Sequence, residues 1–240
     1  MKLVLVGIGG PSSSGKTTVA KALHLLFSKS TLIHLDDFYF PDDEIPYDST
    51  ADIQNWDCEE AIDWVRFKEY IAKVRETNGA MLPMDSLEVD SELKLTPLEI
   101  DALKHHADAI ESQGFHVVFV DGFMLYHDKA ILELFDVKLF FHAPYKVLKE
   151  RREARKGYNT VAGFWEDPPG YFDKIVWPEF IRSHSHLFED GNVEGALTTE
   201  YQNLGLADVA NDGSKSLAEL IKWSMDQVTR QIADLGQNGA

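Results

Sequence analysis

The sequence "GGPSSSGKTT" at residues 9–18 directly follows the apolar run "LVLVGI" at residues 3–8. From Gly10 to Thr17 it matches the phosphate-loop pattern G-x-x-x-x-G-K-[ST] in full. The segment after it has apolar residues at helical spacing, namely Val19, Leu23, Leu26 and Phe27. A loop between a strand and a helix can point backbone N–H groups at phosphate oxygens, and the helix N-terminus adds its dipole. The stretch therefore predicts a cradle for a polyphosphate.

Two other interpretations of this stretch are weaker. A dinucleotide-binding turn requires G-x-G-x-x-G, but Gly7 and Gly9 are followed by Ser12 where the third glycine should stand. An ordinary flexible turn would need neither the lysine nor the flanking strand and helix. In a phosphate loop, Lys16 reaches the terminal phosphates and the Thr17 hydroxyl can ligate Mg²⁺.

Composition limits the class of protein. The chain has 240 residues, 44% of them hydrophobic, and we expect one α/β domain over residues 1–240. A formal net charge of −17 argues against nucleic-acid and anionic-membrane partners, and suits a small or cationic substrate. The single cysteine, Cys58, excludes an internal disulfide framework and is expected as a small helix residue. No apolar stretch approaches the length of a membrane span, so a cytoplasmic protein is expected.

Apolar strands alternate with amphipathic helices along the chain. Strands are predicted at residues 3–8, 31–35, 116–120, 137–143 and, more weakly, 206–210. Helical stripes are formed by Trp64, Phe67, Ile71 and Val74, by Ile100, Leu103, Ala107 and Ile110 after the capping box "TPLE", and by Leu217, Ile221, Met225, Val228, Ile232 and Leu235. This pattern predicts a parallel sheet covered by helices on both faces, with ligands at the carboxyl ends of the strands.

Carboxylates follow two of the predicted strands. The second strand ends in "LDDFYF", so Asp36 or Asp37 could act as a base for phosphoryl transfer to a hydroxyl. The third ends in "VVFVDGF", where Asp121 is placed like a Walker B carboxylate that binds Mg²⁺. Each could instead be a solvated turn residue or a helix cap.

Two other segments contain candidate binding residues. In "KVLKERREARK" at 146–156, Arg151 and Arg155 are four residues apart on one helix face while Arg152 points about 100° away, so one face could close over phosphates and the other contact a substrate. In "NWD" at 55–57, Trp56 and Asp57 could hold a base ring and the vicinal hydroxyls of a ribose. A solvated charged face, a core tryptophan and an N-cap aspartate are the structural alternatives.

These motifs together resemble the nicotinamide riboside kinases, within the larger group of P-loop nucleoside kinases that includes uridine kinases. The likeness covers nearly the whole chain. It depends on "GGPSSSGKTT", on "LDDFYFP" at 35–41, on "NWD", on "DGFMLY" at 121–126 and above all on "DPPGYFDKIVWP" at 167–178. The implied fold is an α/β P-loop kinase with nucleoside-binding insertions and a lid at about residues 146–170. The implied reaction uses ATP and Mg²⁺ to phosphorylate the 5′-hydroxyl of a nucleoside.

The resemblance also assigns residues by position. It implies that ATP binds Gly10, Pro11, Ser12, Ser13, Ser14, Gly15, Lys16, Thr17, Thr18, Arg151, Arg155, Lys156, Gly157, Lys215, Ser216 and Leu217. It implies that Thr17 and Asp36 bind Mg²⁺ and that Asp36 is also the proton acceptor; from their motifs, Asp121 is expected as a further Mg²⁺ ligand and Lys16 as a catalytic residue. It places Asp36, Asp37, Phe38, Tyr39, Trp56, Asp57, Arg152 and Tyr158 at the nucleoside.

The chain departs from the family pattern at three places. Relatives can have tyrosine where Trp56 stands and glutamate where Asp121 stands, both chemically mild changes, and the third departure is a segment. Residues 159–166, "NTVAGFWE", look like an insertion just after the predicted lid helix. A uridine or cytidine kinase, and a nucleotide-binding switch without turnover, remain alternatives. The switch is disfavoured because the guanine-reading N-K-x-D pattern is absent from the sequence. The sequence leaves open the oligomeric state, the choice between ATP and GTP, and the role of residues 80–95.

Overall fold

The computed structural model describes residues 2–79, 86, 94–155, 157–160 and 163–237, and for residues 234–237 it describes the backbone alone. The strands are β1 (Lys2–Gly9), β2 (Ser30–His34), β3 (Tyr47–Asp48), β4 (Ile53–Gln54), β5 (Phe115–Gly122), β6 (Val137–His142), β7 (Tyr158–Asn159), β8 (Phe164–Trp165) and β9 (Leu206–Ala210). The helices are α1 (Lys16–Leu26), α2 (Trp64–Glu76), α3 (Pro97–Glu111), α4 (Lys129–Leu132), α5 (Tyr145–Glu153), α6 (Trp177–His184), α7 (Thr199–Asn203) and α8 (Leu217–Gln237).

Five parallel strands form the central sheet in the order β2–β5–β1–β6–β9. The strand at its centre, β1, leads into the phosphate loop, and its last residue pairs with Gly122 of β5. On the outer side of β5, Asp121 pairs with His34 of β2. Because all five strands run the same way, the segments that follow β1, β2 and β5 meet at one edge of the sheet.

Helices cover both faces of the sheet, as the sequence predicted. Along β1, Val4 and Val6 pack with residues of α1, α3 and α8, whereas Leu5 between them packs on the opposite face with residues of α2. This alternation follows from the two-residue period of a strand. Both faces of β1 are therefore buried, which is why its sequence is a continuous apolar run.

The predicted elements agree closely with the observed ones. All five predicted strands are present with ends shifted by at most two residues, and the weakest prediction, 206–210, is confirmed without change. The capping box predicted at Thr96 is present, since its Oγ1 accepts a hydrogen bond from Glu99 N at 3.3 Å and its own N–H donates to Glu99 Oε2 at 2.8 Å. Ile100 departs from the predicted stripe and is 42% exposed, since the buried side of α3 begins one turn later at Leu103.

Two local expectations need correction. Cys58 is buried but precedes a single 3₁₀ turn, Glu59–Ala61, instead of lying in a helix. Arg155 does not share a helix face with Arg151, because α5 ends at Glu153. The predicted insertion at 159–166 is not contradicted: three of its residues, Asn159, Phe164 and Trp165, lie in the antiparallel pair of β7 and β8.

Within the described ranges, no helix combines the length and apolar character needed to cross a bilayer.

Candidate active site

The phosphate loop has the backbone that its small residues predict. Gly10 and Gly15 have φ of 139° and 90°, and Ser13 has φ of 65°. A Cβ at Gly10 would lie 1.9 Å from the carbonyl oxygen of Phe141, so only glycine fits between the loop and β6. The Ser13 and Ser14 hydroxyls are buried and have no hydrogen-bond partner among the described residues. Buried donors of this kind match the oxygens of a bound phosphate.

The loop is also held in place by a residue that follows the edge strand β9. Asn211, directly after β9, donates from Nδ2 to the carbonyl oxygen of Ser14 at 2.8 Å. Helix α1 starts at Lys16, which is only 8% exposed, and has no acidic residue in its first turn to oppose an anion. Asn211 was not predicted as a site residue, although it lies four residues before the predicted ATP contact Lys215.

A cavity of about 310 Å³ opens beside the phosphate loop. Its lining includes the polar residues Lys16, Thr17 and Asp36, which follow β1 and β2 at the carboxyl edge of the sheet and are called here its polar end. The rest of its lining is Ser12, Thr18, Lys21, Tyr39, Phe40, Trp56, Asp57, Phe123, Arg152, Arg155, Gly157, Tyr158, Asn159, Thr160 and Trp165. The cavity thus combines a polar end at the sheet edge with a wall of aromatic residues, and the predicted base Asp36 belongs to the polar end.

Asp36 and its neighbour Asp37 have different surroundings. Both lie in the 3₁₀ turn Leu35–Phe38 that follows β2. Asp36 lines the cavity, and burial together with the Asp36 charge raises the pKa of Tyr39 well above its usual value. Asp37 is buried and accepts a hydrogen bond from Ser86 at 3.1 Å, and Phe38 packs edge-on against Phe67 and Tyr70. Neither Asp37 nor Phe38 lines this cavity, and their predicted contact with a substrate stays a prediction.

Asp121 is buried at the end of β5. Its Oδ1 lies 2.5 Å from Nδ1 of His34, its partner on β2. Burial alone would raise the pKa of Asp121, but the hydrogen bond and charge of His34, with Lys16 and Thr17, bring the pKa below its usual value. The carboxylate is therefore ionised next to the Thr17 hydroxyl. His34 is a residue that sequence analysis missed, and its position one strand away from Asp121 required the strand order.

Arg152 joins the phosphate loop to the aromatic wall. Its Nη1 donates to Ser12 Oγ at 2.7 Å, and its Nη1 and Nη2 each lie 3.4 Å from an oxygen of Asp57. Asp167 accepts from Nε at 2.6 Å and from Nη2 at 3.1 Å, and the Tyr158 ring lies 4.4 Å from the guanidinium carbon. Burial raises the pKa of Asp57, partly offset by Arg152, whose own pKa is raised by these carboxylates despite its burial.

The aromatic wall is built around Trp56, which is 7% exposed. Its ring packs edge-on against Tyr39 with centroids 5.4 Å apart and tilted against Trp165 at 5.6 Å. Its backbone N–H donates to the Tyr171 hydroxyl at 3.0 Å, and its Nε1 is buried without an acceptor among the residues that the structure describes. Tyr158, predicted as the second wall, also lines this cavity.

A second cavity, of about 520 Å³, lies on the other side of the phosphate loop. It is lined by Ser13, Gly15, Lys16, Thr17, Thr18, Val19, Lys94, Arg151, Arg155, Asn211, Lys215, Leu217 and Leu220. Arg151 and Arg155 reach the same cavity even though only Arg151 is helical, and Arg151 Nη1 lies 3.5 Å from the carbonyl oxygen of Ser13. Its cations suit a nucleoside triphosphate.

Several predicted nucleotide contacts lie elsewhere. Ser216 caps α8, with its N–H donating to Glu219 Oε2 at 2.7 Å and its Oγ accepting from Glu219 N at 3.2 Å. Gly157 lines the first cavity and not the second, and Pro11 lies beside a small cavity near His184. Lys156 falls outside the described residues. Trp165, Lys94 and Asp167 were not predicted as site residues. Trp165 and Lys94 lie in no motif, and Asp167 was quoted only as the first residue of "DPPGYFDKIVWP".

A parallel sheet in this strand order, with a phosphate loop after its central strand and a cavity on each side of that loop, defines a P-loop kinase. The family model described as "Phosphoribulokinase / Uridine kinase family" matches residues 5–158. The chain is 38% identical to a nicotinamide riboside kinase of Saccharomyces cerevisiae, covering 97% of this chain and 98% of that one. It is 36% identical to the Schizosaccharomyces pombe nicotinamide riboside kinase over 96% and 98% of the two chains. The chain belongs to the nicotinamide riboside kinases of this family, and it is a phosphotransferase with an alcohol group as acceptor.

Proposed function

We propose that the protein transfers the γ-phosphoryl group of ATP to the 5′-hydroxyl of nicotinamide riboside. The product, nicotinamide mononucleotide, would feed the synthesis of NAD, and nicotinic acid riboside would be a second substrate. The observation that carries the proposal is the 310 Å³ cavity, in which Trp56, Asp57 and Arg152 share one space with Lys16, Thr17 and Asp36. A riboside held by the first three residues would direct its 5′-hydroxyl toward the others.

The ribose and base have distinct partners in this proposal. Asp57 supplies carboxylate oxygens that can accept from the vicinal hydroxyls, and Arg152 supplies donors. The nicotinamide ring of the substrate is a pyridinium cation, which an indole face attracts more strongly than it attracts a neutral base. The aromatic wall of Trp56, Trp165 and Tyr158, and the formal net charge of −17, both favour a cationic ligand.

Phosphoryl transfer then depends on positioning and charge. The phosphate loop would hold the triphosphate, with Lys16 at the transferred group and Arg151 and Arg155 across the second cavity. Asp36 would accept the proton of the 5′-hydroxyl while the 5′-oxygen of the riboside attacks the γ-phosphorus. The bond between the γ-phosphorus and the oxygen that leaves with ADP would break. We further infer that residues 146–170 form a lid within a single domain over 1–240, because Arg152 and Tyr158 from this segment line the riboside cavity.

The residues at the polar end fit a magnesium ion. Thr17 offers a hydroxyl and Asp36 a carboxylate at the same end of the cavity, and the ionised Asp121 carboxylate lies next to Thr17. Hard oxygen donors of this kind are what Mg²⁺ prefers. Mg²⁺ would neutralise charge on the β- and γ-phosphates. His34 would keep the Asp121 carboxylate oriented through its hydrogen bond.

One assay tests the proposed substrate. Purified protein is incubated with Mg-ATP and, separately, nicotinamide riboside, nicotinic acid riboside, uridine, cytidine and adenosine, and phosphorylated products are identified by mass. We expect the highest kcat/KM for nicotinamide riboside. A higher kcat/KM for uridine or cytidine would replace this proposal with a pyrimidine nucleoside kinase, which the matching family description also covers.

A further inference from the structure

The β7–β8 hairpin places Trp165 next to Trp56. In the hairpin, Tyr158 pairs with Trp165 and Asn159 with Phe164, so the two pairs alternate in direction. Trp165 lines the riboside cavity, whereas Phe164 is 62% exposed. The hairpin is also fixed at Thr160, whose Oγ1 donates to Asp42 Oδ2 at 2.7 Å. Trp165 is thus a fixed part of the aromatic wall, supplied by the insertion.

One carboxylate connects this wall to Arg152. Asp167 Oδ1 accepts from Trp165 Nε1 at 2.9 Å and from Arg152 Nη2 at 3.1 Å, while its Oδ2 accepts from Arg152 Nε at 2.6 Å. The Asp167 side chain is 18% exposed and the Arg152 side chain 6%. Charge-assisted hydrogen bonds in such a protected place are among the strongest that side chains make.

Arg152 is shared unequally between two carboxylates. Its contacts to Asp167 are 2.6 and 3.1 Å, whereas both contacts to Asp57 are 3.4 Å. A guanidinium without Asp167 would satisfy its donors by moving onto the nearest other carboxylate. That carboxylate is Asp57, and a close two-bond pair with Arg152 would use the oxygens that accept from the ribose hydroxyls.

We propose that Asp167 is a positioning residue of the riboside site, which holds Trp165 in the aromatic wall and keeps Arg152 off Asp57. Asp57 then remains able to accept from the vicinal hydroxyls. The inference rests on the proposed riboside substrate. Asp167 itself does not line the cavity, so its effect on a ligand passes through Trp165 and Arg152.

The test compares two variants with a control from the same hairpin. Asp167→Asn weakens the hold on Arg152, and Trp165→Phe keeps an aromatic ring but removes the donor to Asp167. We expect the KM for nicotinamide riboside to rise about tenfold in Asp167→Asn and about threefold in Trp165→Phe, with kcat and the KM for ATP within about twofold of the unchanged protein. Phe164→Leu, which changes the exposed neighbour, should behave like the unchanged protein.

Two further readouts separate positioning from a general structural role. The 2′-deoxy analogue of nicotinamide riboside lacks one hydroxyl of the diol, so the preference for the riboside should shrink in Asp167→Asn, where Arg152 occupies Asp57. Phe164→Leu should keep that preference. The double variant should raise KM less than the product of the two single effects, because both remove parts of one hydrogen-bonded unit.

Each outcome bears on the inference separately from the substrate. If the unchanged protein does not phosphorylate nicotinamide riboside, the proposed function fails, and the panel of nucleosides identifies the substrate. If it does, an unaltered riboside KM in Asp167→Asn, equal losses in riboside KM and ATP KM, or fully independent effects in the double variant would overturn the role of Asp167. Should Asp167→Asn fail to fold, the same threefold KM rise in Trp165→Phe against Phe164→Leu decides the matter.

Discussion

The phosphate loop and the aromatic riboside cavity adjoin each other but are encoded differently. The loop is a contiguous stretch, Gly10–Thr17, whose shape depends on the positive φ of Gly10 and Gly15. The aromatic wall takes Trp56 from the segment after β4 and takes Tyr158 and Trp165 from the β7–β8 hairpin, and it is assembled by contacts such as that between the Trp56 and Trp165 rings. Under the proposed function, a short motif specifies how this enzyme binds phosphate, whereas its choice of acceptor depends on a tertiary network of side chains.

The largest expected effect is at the phosphate loop. Lys16→Ala removes the positive charge at the transferred group, and Asp36→Asn removes the proposed base, so each should lower kcat by about 100-fold or more. Steady-state phosphorylation of nicotinamide riboside measures this, with circular dichroism to verify folding. Lys68→Ala, an exposed lysine on α2, is the control and should leave kcat unchanged. Ordinary turnover in Asp36→Asn would show that another group accepts the proton.

Arg152 lines the first cavity and Arg151 the second, so replacing them should change different kinetic constants. Arg152→Ala removes the residue that contacts Ser12, Asp57 and Asp167, so it should raise the riboside KM by about 10- to 100-fold. Arg151→Ala acts in the second cavity and should mainly raise the KM for ATP and lower kcat, by about tenfold. Initial rates with each substrate varied in turn measure both constants. The same pattern of defects in both variants would contradict the division between the cavities.

Sequence reasoning predicted the sheet and the loop because their signals are local. Buried strands appear as apolar runs, and the capping box at Thr96 and Glu99 marks the start of α3 within four residues. The failures were at boundaries and exceptions of that local logic. Arg155 was assigned to a helix face because α5 has no residue that announces its end, and Ile100 fits the period of a helix whose first turn is exposed.

The proposed riboside site was predicted only as far as individual residues. Trp56, Asp57, Arg152 and Tyr158 were identified, but their pairing was not, since it depends on how α5 lies over the loop before Cys58. Trp165 and Asp167 were missed as members of the site because an insertion carries no motif and a "DPPG" turn gives no direction for its first side chain. An aromatic pair, "FW", in a segment otherwise typical of a loop was the available signal.

The aromatic wall should discriminate by charge. Trp56→Leu keeps an apolar residue but removes the π face, so kcat/KM should fall by about 2- to 30-fold more for nicotinamide riboside than for any neutral nucleoside that the enzyme accepts. The comparison is made within one variant, so partial unfolding affects both substrates equally. Equal losses would mean that Trp56 acts by packing with Tyr39 and Trp165 alone.

The smallest effect on catalysis is expected at His184. This residue borders a small cavity that is also lined by Ser12 of the phosphate loop and by Asp57, which lines the riboside cavity too. Burial lowers its pKa from 6.5 to about 3, with smaller contributions from His186 and His127. Below about pH 6.5, His184 is therefore protonated in the unfolded chain but not in the folded one. The contribution of this residue to the free energy of unfolding is fully present above pH 6.5 and is lost as the pH falls, by about 1.4 kcal/mol per pH unit. His184→Gln cannot take up that proton. Its kcat/KM at pH 7.5 should stay within about twofold, while its free energy of unfolding, measured with urea, should fall less steeply than that of the unchanged protein between pH 6 and 5. His116 and His186 titrate in both proteins and cancel in the difference. Parallel stability curves would mean that His184 accepts a proton in the folded protein. Water would then reach the His184 side chain more easily than the 1% exposure of this residue indicates.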